Sequence, residues 1–227
     1  MQIVRIWDLP TRLFHWALVA CVVGLVVTAN IGGNAMQWHF RFGYSVLTLL
    51  LFRLVWGLIG GRWSRFASFL YSPGSLLRHL RGDSPPAHTV GHSPTGALSV
   101  FAMLLVLLAQ VGTGLVSDDE IAFAGPLTGL VSGSTVTWAT SYHKEIGKVI
   151  LIALVVLHLL AIAFYKVVKK TDLVRPMMGG DKPVPESVAP SKDTLGSRLV
   201  ALGVFLVCGF AVNRLIAWGQ GSGFSGF

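Results

Sequence analysis

Long apolar runs alternate with short polar connections along this chain, and five runs stand out, at about residues 13–31, 39–60, 96–116, 144–166 and 199–218. A bilayer core about 30 Å thick takes roughly 20 consecutive apolar residues per helix, so each run predicts one membrane-spanning helix. The fold class that follows is all-α, an integral membrane helical bundle. The connection before the last run, "VRPMMGGDKPVPESVAPSKD", is rich in Pro and Gly and reads as irregular. It divides the chain into a four-helix core over 1–180, a cytoplasmic linker over 181–198, and a fifth C-terminal transmembrane helix with its tail over 199–227. The tail, "GQGSGFSGF", has the composition of a flexible end. No internal repeat or low-complexity tract interrupts this plan.

Composition supports the same class: of 227 residues, 53% are hydrophobic and 12% charged, with a mean hydropathy of +0.66, far from a soluble domain. A net charge of +8 raises the question of nucleic acid. The basic residues gather at span ends instead of forming one soluble basic face, which argues against that partner. Their distribution sets an orientation. Arg5 and Arg12 precede the first span; Arg62, Arg65, Arg78 and Arg81 follow the second; Lys166, Lys169, Lys170, Arg175, Lys182, Lys192 and Arg198 follow the fourth. These segments belong in the cytoplasm. The connection "GGNAMQW" and residues 117–142 carry neither Lys nor Arg and face outward. The N-terminus is therefore expected inside and the C-terminus in the periplasm. Arg5 and Arg12 before an apolar run also fit a signal peptide, but no A-x-A site follows, so the first span is expected to be retained. Cys21 and Cys208 stand singly in apolar stretches, without CxxC, zinc spacing or CxxCH, and read as inert core residues.

Ionisable side chains inside apolar spans are costly and need partners. The stretch "YHKEIGKVILIALVVLHLLAI" carries His143 and His158 near its two ends. A 15-residue helical step rises ~22 Å and returns to within ~60° of the same face, so both can face one interior at different depths. His15 begins the first span on the cytoplasmic side, and His39 begins the second on the outer side. Depth then pairs His15 with His158 and His39 with His143. Two stacked imidazole pairs in a bundle are what two b-type haems require, with one imidazole on either side of each iron. Satisfied core histidines would not explain four of them matched in depth. A zinc or copper site would lack the thiolate or carboxylate that completes a tetrahedral set, and a proton relay needs no such pairing. Both stay open beside haem at this point.

Several separate stretches are similar, in order, to one known pattern: "WDLPTRLFHW" (7–16), "HFRFG" (39–43), "FRLVWGLIGGRWSRFASF" (52–69), "GHSPTGA" (91–97) and "LVRPMMGG" (173–180). They resemble the bacterial di-haem cytochrome b561-like family, which includes the b-type cytochrome subunit of nickel-iron hydrogenases. The resemblance runs over about residues 5–182 and leaves the fifth span outside. It implies two non-covalent haem b groups, with His15 and His158 on the inner iron and His39 and His143 on the outer one. One departure matters. Relatives usually space the fourth-helix pair by 14 residues, against 15 here, which predicts a rotated second haem or a locally overwound helix.

Arg53 lies 14 residues after His39, hence ~21 Å deeper and within ~40° of the same face. Position alone allows either a guanidinium snorkelling to the surface or one pairing a haem propionate; the resemblance favours the propionate. Arg41, beside His39, is expected to do the same outside. His79, His88 and His92 fall in a polar connection and read as solvated. Trp38, Trp56, Trp63, Trp138 and Trp218 lie near span ends and read as interfacial anchors, some of them available to a quinone pocket. Asp118, Asp119 and Glu120 form an external acidic patch, suited to steering a basic periplasmic partner or simply to being solvated.

The expected function is electron transfer across the bacterial inner membrane, within a respiratory chain, between the quinone pool and a hydrogenase or periplasmic cytochrome c. Quinone is a further expected ligand, membrane lipid the surroundings, and a homo-oligomer stays open. Two other readings compete: a stand-alone oxidoreductase acting on superoxide or ferric ion, and a non-redox membrane scaffold.

Overall fold

A computed structural model describes residues 2–83, 85–184 and 188–222. In chain order it contains β1 (Gln2–Arg5), α1 (Leu9–Ile31), α2 (Met36–Ile59), α3 (Pro73–Leu80), α4 (Pro94–Leu115), α5 (Gly133–Ser141), α6 (Lys148–Val167), α7 (Val174–Gly179), β2 (Asp181–Val184) and α8 (Leu195–Ser222). A π-helical turn over Tyr142–Gly147 joins α5 to α6 without a break. Among the described residues, five segments are long and apolar enough to cross a membrane: Leu9–Ile31, Gly33–Ile59, Ala87–Leu115, Gly133–Val167 and Leu195–Gly221.

These match the five apolar runs, and the third and fourth spans begin well before theirs, at Ala87 and Gly133. The fourth does so because "GSTVTWATS" is helical without being strongly apolar. The Ser132 hydroxyl accepts from Thr135 N at 3.3 Å, so a side-chain cap starts this helix. Along α6, Val149, Ile152, Leu157, Leu160 and Phe164 are exposed. That is how a helix looks when lipid, not protein, covers most of its apolar surface.

The chain gathers into two compact units. The first holds Met1–Trp16, Arg53–Met103 and Leu154–Val204; the second holds Ala17–Phe52, Leu104–Ala153 and Phe205–Phe227.

In the first unit, Val4, Ile6, Trp7, Val90 and Val184 form a core edged by Trp63, Met177 and Val188. Strands β1 and β2 pair antiparallel, with Gln2 opposite Val184 and Arg5 opposite Asp181. This small ribbon is where the structure leaves the all-helical plan, and β2 lies in the segment expected to be irregular. The rest of that segment is also anchored. Ser191 Oγ donates to the Ile6 carbonyl at 2.6 Å, and Trp63 Nε1 donates to the Ala189 carbonyl at 3.0 Å. Asp193 meets Arg5 at 2.7 Å and Arg198 at 2.8 Å. Gly180 ends α7 at φ +93°, a left-handed conformation that favours glycine, and its carbonyl accepts from Ile6 N and Trp7 N at 2.9 and 3.1 Å.

In the second unit, Val46, Leu49 and Leu50 of α2 are buried, and Phe52 meets Phe205 of α8 edge-on at 6.1 Å. Ala17, Cys21, Ser45, Thr48, Leu49 and Phe205 line an apolar cavity of about 350 Å³. Both cysteines are free thiols. Residues 223–227, most of the tail read as flexible, lie outside the described residues.

Candidate functional site

His39 begins α2 and His143 sits in the π-helical turn, both in the second unit. Their ring centres are 6.2 Å apart with planes at 84°. His39 Nδ1 donates to the Leu25 carbonyl of α1 at 3.1 Å, and His143 Nδ1 donates to the Gln110 carbonyl of α4 at 2.8 Å. A hydrogen bond from Nδ1 to a carbonyl fixes the tautomer, so each Nε2 keeps its lone pair. Ring centres 6.2 Å apart leave the two imidazoles close enough for one ion to reach both. Gly114, one turn after Gln110, makes room for the ring: a Cβ there would lie 2.8 Å from His143 Cε1.

The π-turn answers the spacing question. A π-turn adds one residue to a helical turn without adding a turn, so 15 residues here carry the phase that 14 carry in an unbroken α-helix. The expectation of a locally overwound helix is therefore corrected: the helix is underwound at Tyr142–Gly147.

His15 on α1 and His158 on α6 belong to the first unit, where His158 lies within electrostatic reach of His15. The His15 ring meets Trp16 edge-on at 5.0 Å. Its Nδ1 is buried with no hydrogen-bond partner, in contrast to both histidines of the second unit. Among the described residues, no three His, Cys, Asp or Glu side chains gather as a metal cage. His39 and His143 thus bring two imidazoles together, the number that fills the axial positions of a haem iron.

Arg53 does not snorkel. It is 3% exposed, its Nη1 donates to the Ser64 carbonyl at 2.9 Å, and its Cζ lies 4.7 Å over the Phe66 ring. Close by is a buried carboxylate absent from the sequence expectations. Asp8 accepts from Thr11 N at 2.8 Å, Trp56 Nε1 at 3.2 Å, Gly61 N at 3.1 Å and Ser64 Oγ at 2.7 Å. It ties the start of α1, which carries His15, to the end of α2 and the turn after it. Arg41 is exposed, with its Cζ 4.7 Å over the Trp38 ring.

Two sequence expectations change. His88 and His92 are not solvated, since both Nδ1 atoms are buried; His92 packs on Trp7 at 4.7 Å and Phe69 at 4.3 Å. Trp56 is buried at 2% exposure and serves Asp8 instead of an interface, whereas Trp38, Trp138 and Trp218 are exposed. The acidic patch is partly loop architecture. Asp119 accepts from the backbone N–H of Ile121, Ala122 and Phe123, and these amides hold its carboxyl below the usual range. Sequence reasoning missed Asp8, Gln110 and Gly114. Gln110 had a signal, a carboxamide deep in an apolar run.

A family model for prokaryotic cytochrome b561 matches residues 6–180. The chain is 25% identical to the probable Ni/Fe-hydrogenase B-type cytochrome subunit of Azotobacter chroococcum mcd 1, over 78% of this chain and 87% of that one. It is 24% identical to the protein of that name from Azotobacter vinelandii, with the same shares covered. It is 23% identical to the probable Ni/Fe-hydrogenase 1 B-type cytochrome subunit of Escherichia coli K12, over 51% of this chain and 60% of that one. No solved structure matches.

Proposed function

The chain belongs to the prokaryotic cytochrome b561 family, and from that premise we propose that it is a di-haem b-type membrane cytochrome carrying electrons between the quinone pool and a redox partner. The observation that carries this reading is the sorting of four membrane histidines into two pairs, one in each compact unit. His15 and His158 would hold one haem; His39 and His143 would hold the other. Bound haem b supplies a one-electron couple whose potential follows its axial ligands, hydrogen bonding and burial.

The chain's own residues set those conditions. The Leu25 and Gln110 carbonyls orient the second-unit imidazoles and raise their basicity as ligands, which favours the oxidised iron. His15 has no such acceptor on its Nδ1. The first-unit haem would therefore have the higher potential. Arg53 and Arg41 are assigned to propionates. The apolar outer surfaces of the spans keep water from both sites.

The asymmetry of basic residues orients the chain in the bacterial inner membrane with its N-terminus in the cytoplasm and its C-terminus in the periplasm. His15 and His158 are then the inner pair. The names of the relatives favour a hydrogenase as partner, with a periplasmic cytochrome c as the other candidate. Redox titration of the purified protein and of His15→Ala, His39→Ala, His143→Ala and His158→Ala tests the assignment. Two haems per chain are expected. His39 and His143 variants should lose the lower-potential component, and His15 and His158 variants the higher. A single haem per chain, or loss of the same component in the His15 and His39 variants, would refute it.

A further inference from the structure

The π-helical turn places His143 in the grip of one neighbour. His143 Nδ1 donates to the backbone carbonyl of Gln110 at 2.8 Å, while the Gln110 side-chain Nε2 donates to the backbone carbonyl of His143 at 2.9 Å. One residue of α4 thus holds the imidazole by its tip and by its main chain. A π-turn interrupts the regular i→i−4 ladder, and a side chain donating into such a gap is a recognised cause of local helix distortion.

The far end of the Gln110 carboxamide shows how closely it is fitted. Its Oε1 is buried without a hydrogen-bond partner, and a Cβ at position 147 would land on it. Gly147, the last residue of the π-turn, is buried. Reversing the carboxamide would set its oxygen against the His143 carbonyl oxygen, so the bond to His143 dictates its orientation. A buried carboxamide with one end unmet is costly, which makes a role for the other end the physical account of its presence.

We propose that Gln110 is a positioning residue: its side-chain Nε2 donates to the His143 carbonyl beside the hydrogen bond that its main-chain carbonyl accepts from His143 Nδ1, and together they hold the π-turn open and fix the direction and basicity of that imidazole. This rests on the reading of His39 and His143 as ligands to one haem. It goes beyond that reading because the device sits in α4, a helix that contributes no ligand. Gly114 and Gly147 are its spatial complement, the first clearing the ring and the second clearing the carboxamide.

Two variants remove the device in different ways. Gln110→Met keeps length and apolar volume and deletes the side-chain donor; Gly147→Ala leaves the donor but occupies its seat. Redox titration and low-temperature EPR of the haem-loaded protein read both. The component that depends on His143 should shift in midpoint and in its EPR signal in each variant, and its site should bind haem about 10-fold or more weakly, as for other groups that orient a metal-bound histidine. The component that depends on His15 should keep its midpoint and occupancy, which also reports that the chain has folded. Because both substitutions break one contact, the double variant should be no worse than the worse single. Unchanged midpoint and EPR signal in Gln110→Met, or fully additive effects in the double variant, would overturn the proposal. Absence of any His143-dependent component in the wild-type protein would instead defeat the haem assignment itself.

Discussion

Substituting Asp8→Asn removes one carboxylate oxygen from the point where α1, the end of α2 and the following turn are joined, and puts a donor in its place. Asp8 is fully buried. Its Oδ2 accepts from Gly61 N at 3.1 Å and from Ser64 Oγ at 2.7 Å, while Oδ1 accepts from Thr11 N at 2.8 Å and Trp56 Nε1 at 3.2 Å. With Oδ1 kept as the amide oxygen, the Thr11 cap and the indole bond survive and the other two donors lose their acceptor. At ~1–3 kcal/mol for each buried donor left unmet, the cost is roughly 2–6 kcal/mol. Ser64 can rotate its hydroxyl, which favours the lower part of that range. The lost negative charge adds to it, because Arg53 is buried within electrostatic reach and a buried cation stripped of its counter-charge is strongly destabilising. At ~2–4 °C per kcal/mol for a chain of this size, the unfolding midpoint should fall by roughly 5–15 °C. Thermal unfolding followed by tryptophan fluorescence in detergent measures it. His15 lies two turns into the helix that Asp8 caps, so the higher-potential haem component should lose occupancy before the lower one does. An Asp8→Asn protein within 1–2 °C of wild type would show that the junction is held by apolar packing alone and that the hydrogen-bond count misleads.

Two further outcomes can be checked separately. Burial pushes the Asp193 carboxyl up, but hydrogen bonds from Arg198 and Arg5 outweigh it and hold the group at about 2 instead of 3.8. A depressed carboxyl stabilises the fold above its ordinary value and loses that contribution as pH falls through the folded one, so the unfolding midpoint should drop between pH 3.8 and about 2. Asp193→Asn should flatten that limb in a pH series, and an unchanged limb would remove Asp193 from the account. Gly114→Ala places a Cβ 2.8 Å from His143 Cε1 and 3.2 Å from Nδ1, wedging the ring from its carbonyl. It should shift or empty the lower-potential component. A haem titration identical to wild type would refute the tight packing of that ring.

The sequence by itself determined the class of this protein, because the energy of placing a side chain in lipid depends mainly on its own chemistry and on its run of neighbours. Five apolar runs, the basic residues at their ends and four histidines at span positions are all local facts, and the five spans are where those runs lie. Local patterning could also expose an anomaly, the 15-residue step from His143 to His158, but not its resolution. Whether one extra residue rotates a ligand or opens a π-turn depends on what another helix offers the freed backbone, and here Gln110 of α4 offers it. The same holds for Asp8. In the sequence it is one acidic residue beside an arginine-bearing helix start; in the fold it is the common acceptor for donors up to 56 residues away. His88 and His92 differ from solvated loop histidines only through the aromatic rings that the fold brings around them. Arg53 differs from a snorkelling arginine only because Ser64 and Phe66 return to meet it. Hydropathy and charge are carried by single residues and survive in a one-dimensional reading. A hydrogen bond or a buried ring needs two partners at a few ångströms, and that distance is set by tertiary packing.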